Sequence, residues 1–139
     1  MPKNTRKNDL AGLTLLGKAA KPVRKLETFP NYNESRDYTV TLQTEEFTCV
    51  CPMTGQPDFA KIKIQYIPDK NIVESKSLKL YLWSFRNEGV FHEHVTNIIL
   101  DDLVAALKPR WCKVSAQFAV RGGIAIDVEA EYKNNKEQI

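Results

Sequence analysis

The feature that most constrains this chain is where its hydrophobic period changes. YTVTLQTEEF (38–47) sets Tyr38, Val40 and Leu42 against Thr39, Thr41 and Gln43, and FAKIKIQYIP (59–68) sets Ile62, Ile64 and Tyr66 against Lys61, Lys63 and Gln65. Successive side chains of a strand point to opposite faces, so both runs predict half-buried strands. ESKSLKLYLWSF (74–85) then switches to helical spacing, pairing Leu78 with Leu82 and Tyr81 with Phe85, with Asn71 or Ser75 as the expected cap. A second helix is expected over 92–107, where Val95, Ile98, Ile99, Asp102, Leu103 and Ala106 share one face and Pro109 lies beyond the end. Finally Cys112, Val114, Ala116, Phe118 and Val120 alternate with polar neighbours, Gly122-Gly123 supplies a turn, and Ile124, Ile126 and Val128 bring the chain back.

The order strand, strand, helix, helix, strand, strand predicts an α+β fold: a four-stranded antiparallel sheet, with two helices inserted between its second and third strands and packed on one face. The polar outer face and unpaired edges of such a sheet suit burial against other copies, so a homo-oligomer is expected. The 139 residues suit one domain, placed at 26–133, after a polar, basic N-terminal segment (1–25) and before a polar tail (134–139). Within the first segment AGLTLLGKAA (11–20) predicts a short turn or helix stopped at Pro22, and 26–36, containing Pro30, reads as loop.

Twenty basic and 17 acidic residues nearly balance, which argues against a nucleic-acid binder, although Lys3, Arg6, Lys7, Lys18, Lys21, Arg24 and Lys25 crowd the start. Three cysteines do not make a secreted disulfide framework, the start lacks a signal peptide, and no apolar run approaches the ~18 residues of a membrane span. A cytoplasmic protein with free thiols is expected. No Gly-rich dinucleotide loop is evident, so a nicotinamide cofactor would not bind through a Rossmann motif.

Two clusters carry potential chemistry. CPMTGQPDFA (51–60) presents Cys51 on a loop stiffened by Pro52 and Pro57, with Gly55 for a turn and Asp58 seven residues on. A thiol in such a place is either a small buried hydrophobe or a nucleophile. Asp58 either caps a turn or folds back as an acid–base partner sharing one proton with the sulfur. FHEH (91–94) holds both histidines. Glu93 near a helix start either answers the helix dipole or accepts parallel N–H bonds from a guanine-like edge. His92 is placed to orient substrate or relay a proton, whereas His94 reads as solvated or structural. Cys49, Cys51, His92, His94 and Cys112 offer zinc donors without the spacing of common structural sites, so no metal is expected. Lys76, Lys79 and Arg121 are the best anion contacts, each otherwise a solvated cation.

With ESKSLKLY complete at 74–81, CPMTGQPDFA at 51–60, FHEH at 91–94 and FAVRGGIAI at 118–126, the chain resembles, over about 26–133, the short single-domain NADPH-dependent 7-cyano-7-deazaguanine reductases, the nitrile reductases of queuosine biosynthesis. The resemblance implies the tunnelling fold shared with GTP cyclohydrolase I, in two stacked pentamers with sites between subunits. It implies reduction of the nitrile of 7-cyano-7-deazaguanine to the aminomethyl product by two NADPH, without metal, membrane or direct nucleic-acid contact. By the same resemblance Cys51 forms a thioimide, Asp58 is its acid–base partner and His92 assists proton transfer. Glu93 anchors the base, Ser75 and Phe91 line its pocket, and Lys76, Lys79 and Arg121 contact cofactor phosphates. The rivals are a zinc-dependent cyclohydrolase-like or pterin-handling enzyme on the same fold, an RNA-associated assembly protein and a thiol peroxidase.

Overall fold

The computed structural model describes residues 21–134. The expected element at 11–20, most of the basic segment and the polar tail from 135 on lie outside the described residues.

The four long strands are β2 (Val40–Val50), β3 (Pro57–Ile67), β5 (Trp111–Arg121) and β6 (Ile124–Lys133), paired antiparallel in the order β2-β3-β5-β6. Helices α1 (Ser75–Trp83) and α2 (His92–Leu107) lie between β3 and β5 in the chain, as their period predicts. Both cover one face of the sheet. Phe47, Ile62, Ile64, Tyr66, Val114 and Phe118 point from the strands into a core completed by Leu78, Tyr81, Phe85, Val95, Ile99 and Leu103. The opposite face carries Lys61, Lys63 and Lys113 among Glu45, Asp127 and Glu129. Among the described residues no helix is long and apolar enough to cross a membrane.

Four expectations are corrected. Residues 26–36 are not all loop, because β1 (Thr28–Pro30) pairs antiparallel with β4 (Asn71–Val73). Three-residue strands have no detectable period, and their pairing is set by distant backbone. The cap of α1 is neither Asn71 nor Ser75. Asn71 belongs to β4 and Ser75 is already helical, while the Glu74 carboxylate accepts the amides of Lys76 (2.7 Å) and Ser77 (2.9 Å). Asp58 is not in the loop but is the second residue of β3, since Pro57 is tolerated where a strand begins. Val120 does not continue the inward face: the β5–β6 register shifts between Phe118 and Arg121, leaving Val120 exposed.

A second shift, between Thr44 and Phe47 of β2, exchanges the face reached by even and odd positions. Val40 and Leu42 and then Phe47 and Cys49 therefore face the core.

Candidate active site

The end of β2, the irregular end of β5 and the starts of β3 and α2 meet around Asp58. The turn from β2 to β3 is closed by Gly55 donating to the Cys51 carbonyl (2.9 Å) and Cys51 donating to the Gln56 carbonyl (2.8 Å). Gly55 adopts φ +72°, a left-handed conformation that glycine takes without strain. The turn is held from behind by the segment between the helices. The Val50 amide donates to the Glu88 carbonyl (3.0 Å), and the Val90 amide to the Val50 carbonyl (3.1 Å). A Cβ on Gly89 would stand 3.1 Å from the Pro52 Cα, so only glycine allows this approach without displacement.

Within that turn Cys51 is partly exposed and its thiol is more acidic than usual. The chief cause is a hydrogen bond from the Thr54 hydroxyl, followed by bonds from the Thr54 and Met53 amides. Desolvation and the Asp58 charge oppose them more weakly. Cys49 and Cys112 differ sharply. Burial, with smaller contributions from the Asp58 and Glu88 charges, pushes Cys49 up to about 11, and burial alone pushes Cys112 up to about 12. All three thiols are free. Thr54, which sequence reasoning passed over as loop, therefore matters to the thiol. Thr54→Ala should move the pH–rate profile of Cys51 alkylation to higher pH, because hydrogen bonds to the thiolate lower its pKa. Peptide mapping after iodoacetamide treatment checks it, and an unmoved profile would remove Thr54 from the account.

Asp58 is buried, on the core side of β3. Its two oxygens have different partners: Oδ2 lies 3.2 Å from His92 Nε2, and Oδ1 lies 2.8 Å from Arg121 Nη1. The His92 ring, in the first turn of α2, stacks on Phe118 with centroids 3.9 Å apart and planes 7° off parallel. Phe118 is the other contributor that periodicity assigned only to the core. The thiol and carboxylate thus belong to one neighbourhood, but the direct polar partners of Asp58 are His92 and Arg121 rather than Cys51.

The remaining expected residues lie on α1, at the start of α2 and at the end of β5. Glu93 is exposed in the first turn of α2. Its backbone carbonyl accepts from Asn97 (2.8 Å), and its carboxylate has no partner among the described residues. Phe91, just before α2, is exposed and meets the His94 ring edge-on at 6.3 Å. Ser75 and Lys79 line a groove of about 1140 Å³ between α1 and the β2–β3 ribbon, together with Gly55, Phe59, Trp83 and Arg86. Lys76 is exposed on α1, and neither it nor Lys79 forms an ion pair among the described residues. Arg121 is turned to Asp58. Among the described residues no group of three or more His, Cys, Asp and Glu side chains is gathered so as to hold a metal ion, so the donors a zinc reading would need are not brought together.

The model of the family described as QueF-like protein matches residues 57–137. A protein of Syntrophus aciditrophicus (strain SB), an NADPH-dependent 7-cyano-7-deazaguanine reductase, is 73% identical over 133 residues, covering 96% of this chain and 95% of its own. The chain belongs to this family. A second reductase of the same description, from Anaeromyxobacter sp. (strain K), is 62% identical over 111 residues, covering 80% of this chain and 91% of its own. The crystal structure of the archaeosine synthase QueF-Like in the apo form superposes with a TM-score of 0.64 at 26% identity, covering 69% of this chain and 94% of that one. The four-stranded antiparallel sheet with its two helices is the tunnelling fold of these proteins.

Proposed function

We propose that this chain, an NADPH-dependent oxidoreductase of the family, reduces the nitrile of 7-cyano-7-deazaguanine to the aminomethyl group through a Cys51 thioimide. The observation that carries the reading is an acidified, partly exposed thiol that feels the charge of a buried carboxylate lying 3.2 Å from a histidine. Thiols add to nitriles when a nucleophile attacks carbon and an acid protonates nitrogen. Cys51 supplies the sulfur, and Asp58, with His92 beside it, passes the proton it shares with the thiol to nitrogen. The S–H bond and one C–N π bond break, one C–S bond and one N–H bond form, the proton passing from sulfur by way of Asp58 to nitrogen, and nothing leaves.

Glu93 presents a carboxylate without a partner among the described residues, suited to the parallel N–H donors of the deazaguanine edge, with Phe91 beside it in the chain, and Ser75, on the α1 groove, would complete that pocket from a neighbouring copy. The groove along α1 suits a phosphorylated dinucleotide, since Lys79 lines it and Lys76 is exposed on the same helix, neither ion-paired among the described residues, and Phe59 and Trp83 offer flat apolar surface. Arg121 is a third cation suited to its phosphates. NADPH, when bound, supplies hydride; taking a nitrile to an amine needs four electrons, hence two NADPH. Between the two transfers the chain must keep a hydrolysable imine from water. Met53, Phe59, Phe91, Val120 and Ile124 lie exposed near these residues. Such a surface is suited to cover by a neighbouring subunit, in keeping with sites shared within a decamer of two pentamers. A cytoplasmic setting agrees with thiols used in the reduced form.

The experiment is the intact mass of the protein mixed with 7-cyano-7-deazaguanine without NADPH. A gain of one whole substrate mass is expected, because addition expels nothing; an unchanged mass contradicts the thioimide. In a calorimetric titration with 7-cyano-7-deazaguanine, Glu93→Ala should weaken substrate binding by about 10- to 100-fold, the cost of losing hydrogen bonds to a charged acceptor. Undiminished binding would remove Glu93 as the anchor.

A further inference from the structure

We infer that Arg121 is a positioning residue for Asp58, fixing the carboxylate for the addition of Cys51 to the nitrile, a step that precedes any use of NADPH. The inference rests on the acid–base role of Asp58 proposed above and goes beyond the phosphate contact expected of Arg121.

The geometry is specific. The Arg121 guanidinium grips two successive residues of β3, with Nη1 at 2.8 Å from Asp58 Oδ1 and Nη2 donating to the Pro57 carbonyl at 2.9 Å. With His92 on Oδ2, both carboxylate oxygens are engaged and rotation about the terminal bond is blocked. Asp58 has a side chain only 6% exposed, whereas that of Arg121 is 42% exposed. A carboxylate that deep is costly without a cation, and Arg121 is the only Lys or Arg paired with it among the described residues. The backbone is shaped for this reach. The register shift between Phe118 and Arg121 puts Val120 outward and turns Arg121 toward β3, and Gly122 (φ +57°) and Gly123 (φ +77°) make the following turn. A residue serving cofactor phosphate alone has no need to hold the strand that carries the acid.

Thioimide formation consumes no hydride, so the two roles separate experimentally. The rate of adduct formation at saturating 7-cyano-7-deazaguanine, without NADPH, is measured by rapid-quench intact mass for wild type, R121A, R121K, D58N and the double variant D58N/R121A. NADPH affinity is titrated in parallel. The inference expects R121A to slow addition by about 10- to 100-fold, the usual effect of a misplaced catalytic group. R121K should recover part of the rate. In the D58N background R121A should add little further loss, because its effect runs through the carboxylate. Addition at the wild-type rate in R121A with weakened NADPH binding would overturn the inference, leaving a cofactor contact only. An equal loss with or without the Asp58 carboxylate would overturn it as a merely structural effect. Adduct formation at the wild-type rate in D58N would overturn the role of Asp58 itself, and the inference with it.

Discussion

Replacing Cys51 with Ala should abolish the covalent adduct and reduce turnover by about 10⁴-fold or more, since the loss of a covalent nucleophile leaves only binding and polarisation. The expectation rests on a contrast among three thiols. Cys49 and Cys112 are buried in the core with thiols pushed up to about 11 and about 12, so neither is a nucleophile near neutral pH. Cys51 alone sits in a turn whose hydroxyl and amides favour the thiolate. The substitution removes one sulfur from a partly exposed position and leaves the backbone bonds of the turn intact, so folding should be preserved. Intact mass and steady-state turnover check it together. A persistent adduct in C51A would place the attachment elsewhere, and near-normal turnover would refute covalent catalysis.

Asp58→Asn comes next in size, with an expected loss of about 10²- to 10⁴-fold in turnover, the range for a general acid or base. The amide is nearly isosteric, and its oxygen can still accept from Arg121, so the β3 backbone and the His92–Phe118 stack should survive. What it lacks is a carboxylate to pass the thiol proton to the nitrile nitrogen. Adduct formation should fail before hydride transfer does, so single-turnover measurements with and without NADPH should show the same slow first step. Normal activity across pH would show that the acid is another group.

Most of the frame was legible because it follows from period. Ile62, Ile64 and Tyr66 fall on one face of a strand, and Val95, Ile99 and Leu103 fall on one face of a helix, whatever surrounds them. The bulges were not legible, since inserting one residue in a strand leaves the composition of a run such as QTEEF unchanged while reversing which side chains face inward. The same blindness hid β1 and β4. At the site, the local groups could be named from sequence: Cys51 and Asp58 from a stiffened turn, His92 and Glu93 from a helix start. Their partners could not. The Phe118 ring beneath His92 and the Arg121 guanidinium across Asp58 and the Pro57 carbonyl depend on where β5 ends relative to β3, which only the register fixes. Thr54 lacked any chemical signal because a hydroxyl three residues beyond a cysteine is ordinary in a turn.

The reaction proposed for this chain is a four-electron reduction of one nitrile by NADPH. Its most direct test mixes the purified protein with limiting 7-cyano-7-deazaguanine and excess NADPH, following the loss of NADPH absorbance and assaying the product by mass. Two NADPH should be oxidised per substrate consumed, with the aminomethyl compound as product. One NADPH per substrate with an aldehyde released, or no oxidation by folded protein with both ligands present, would contradict it.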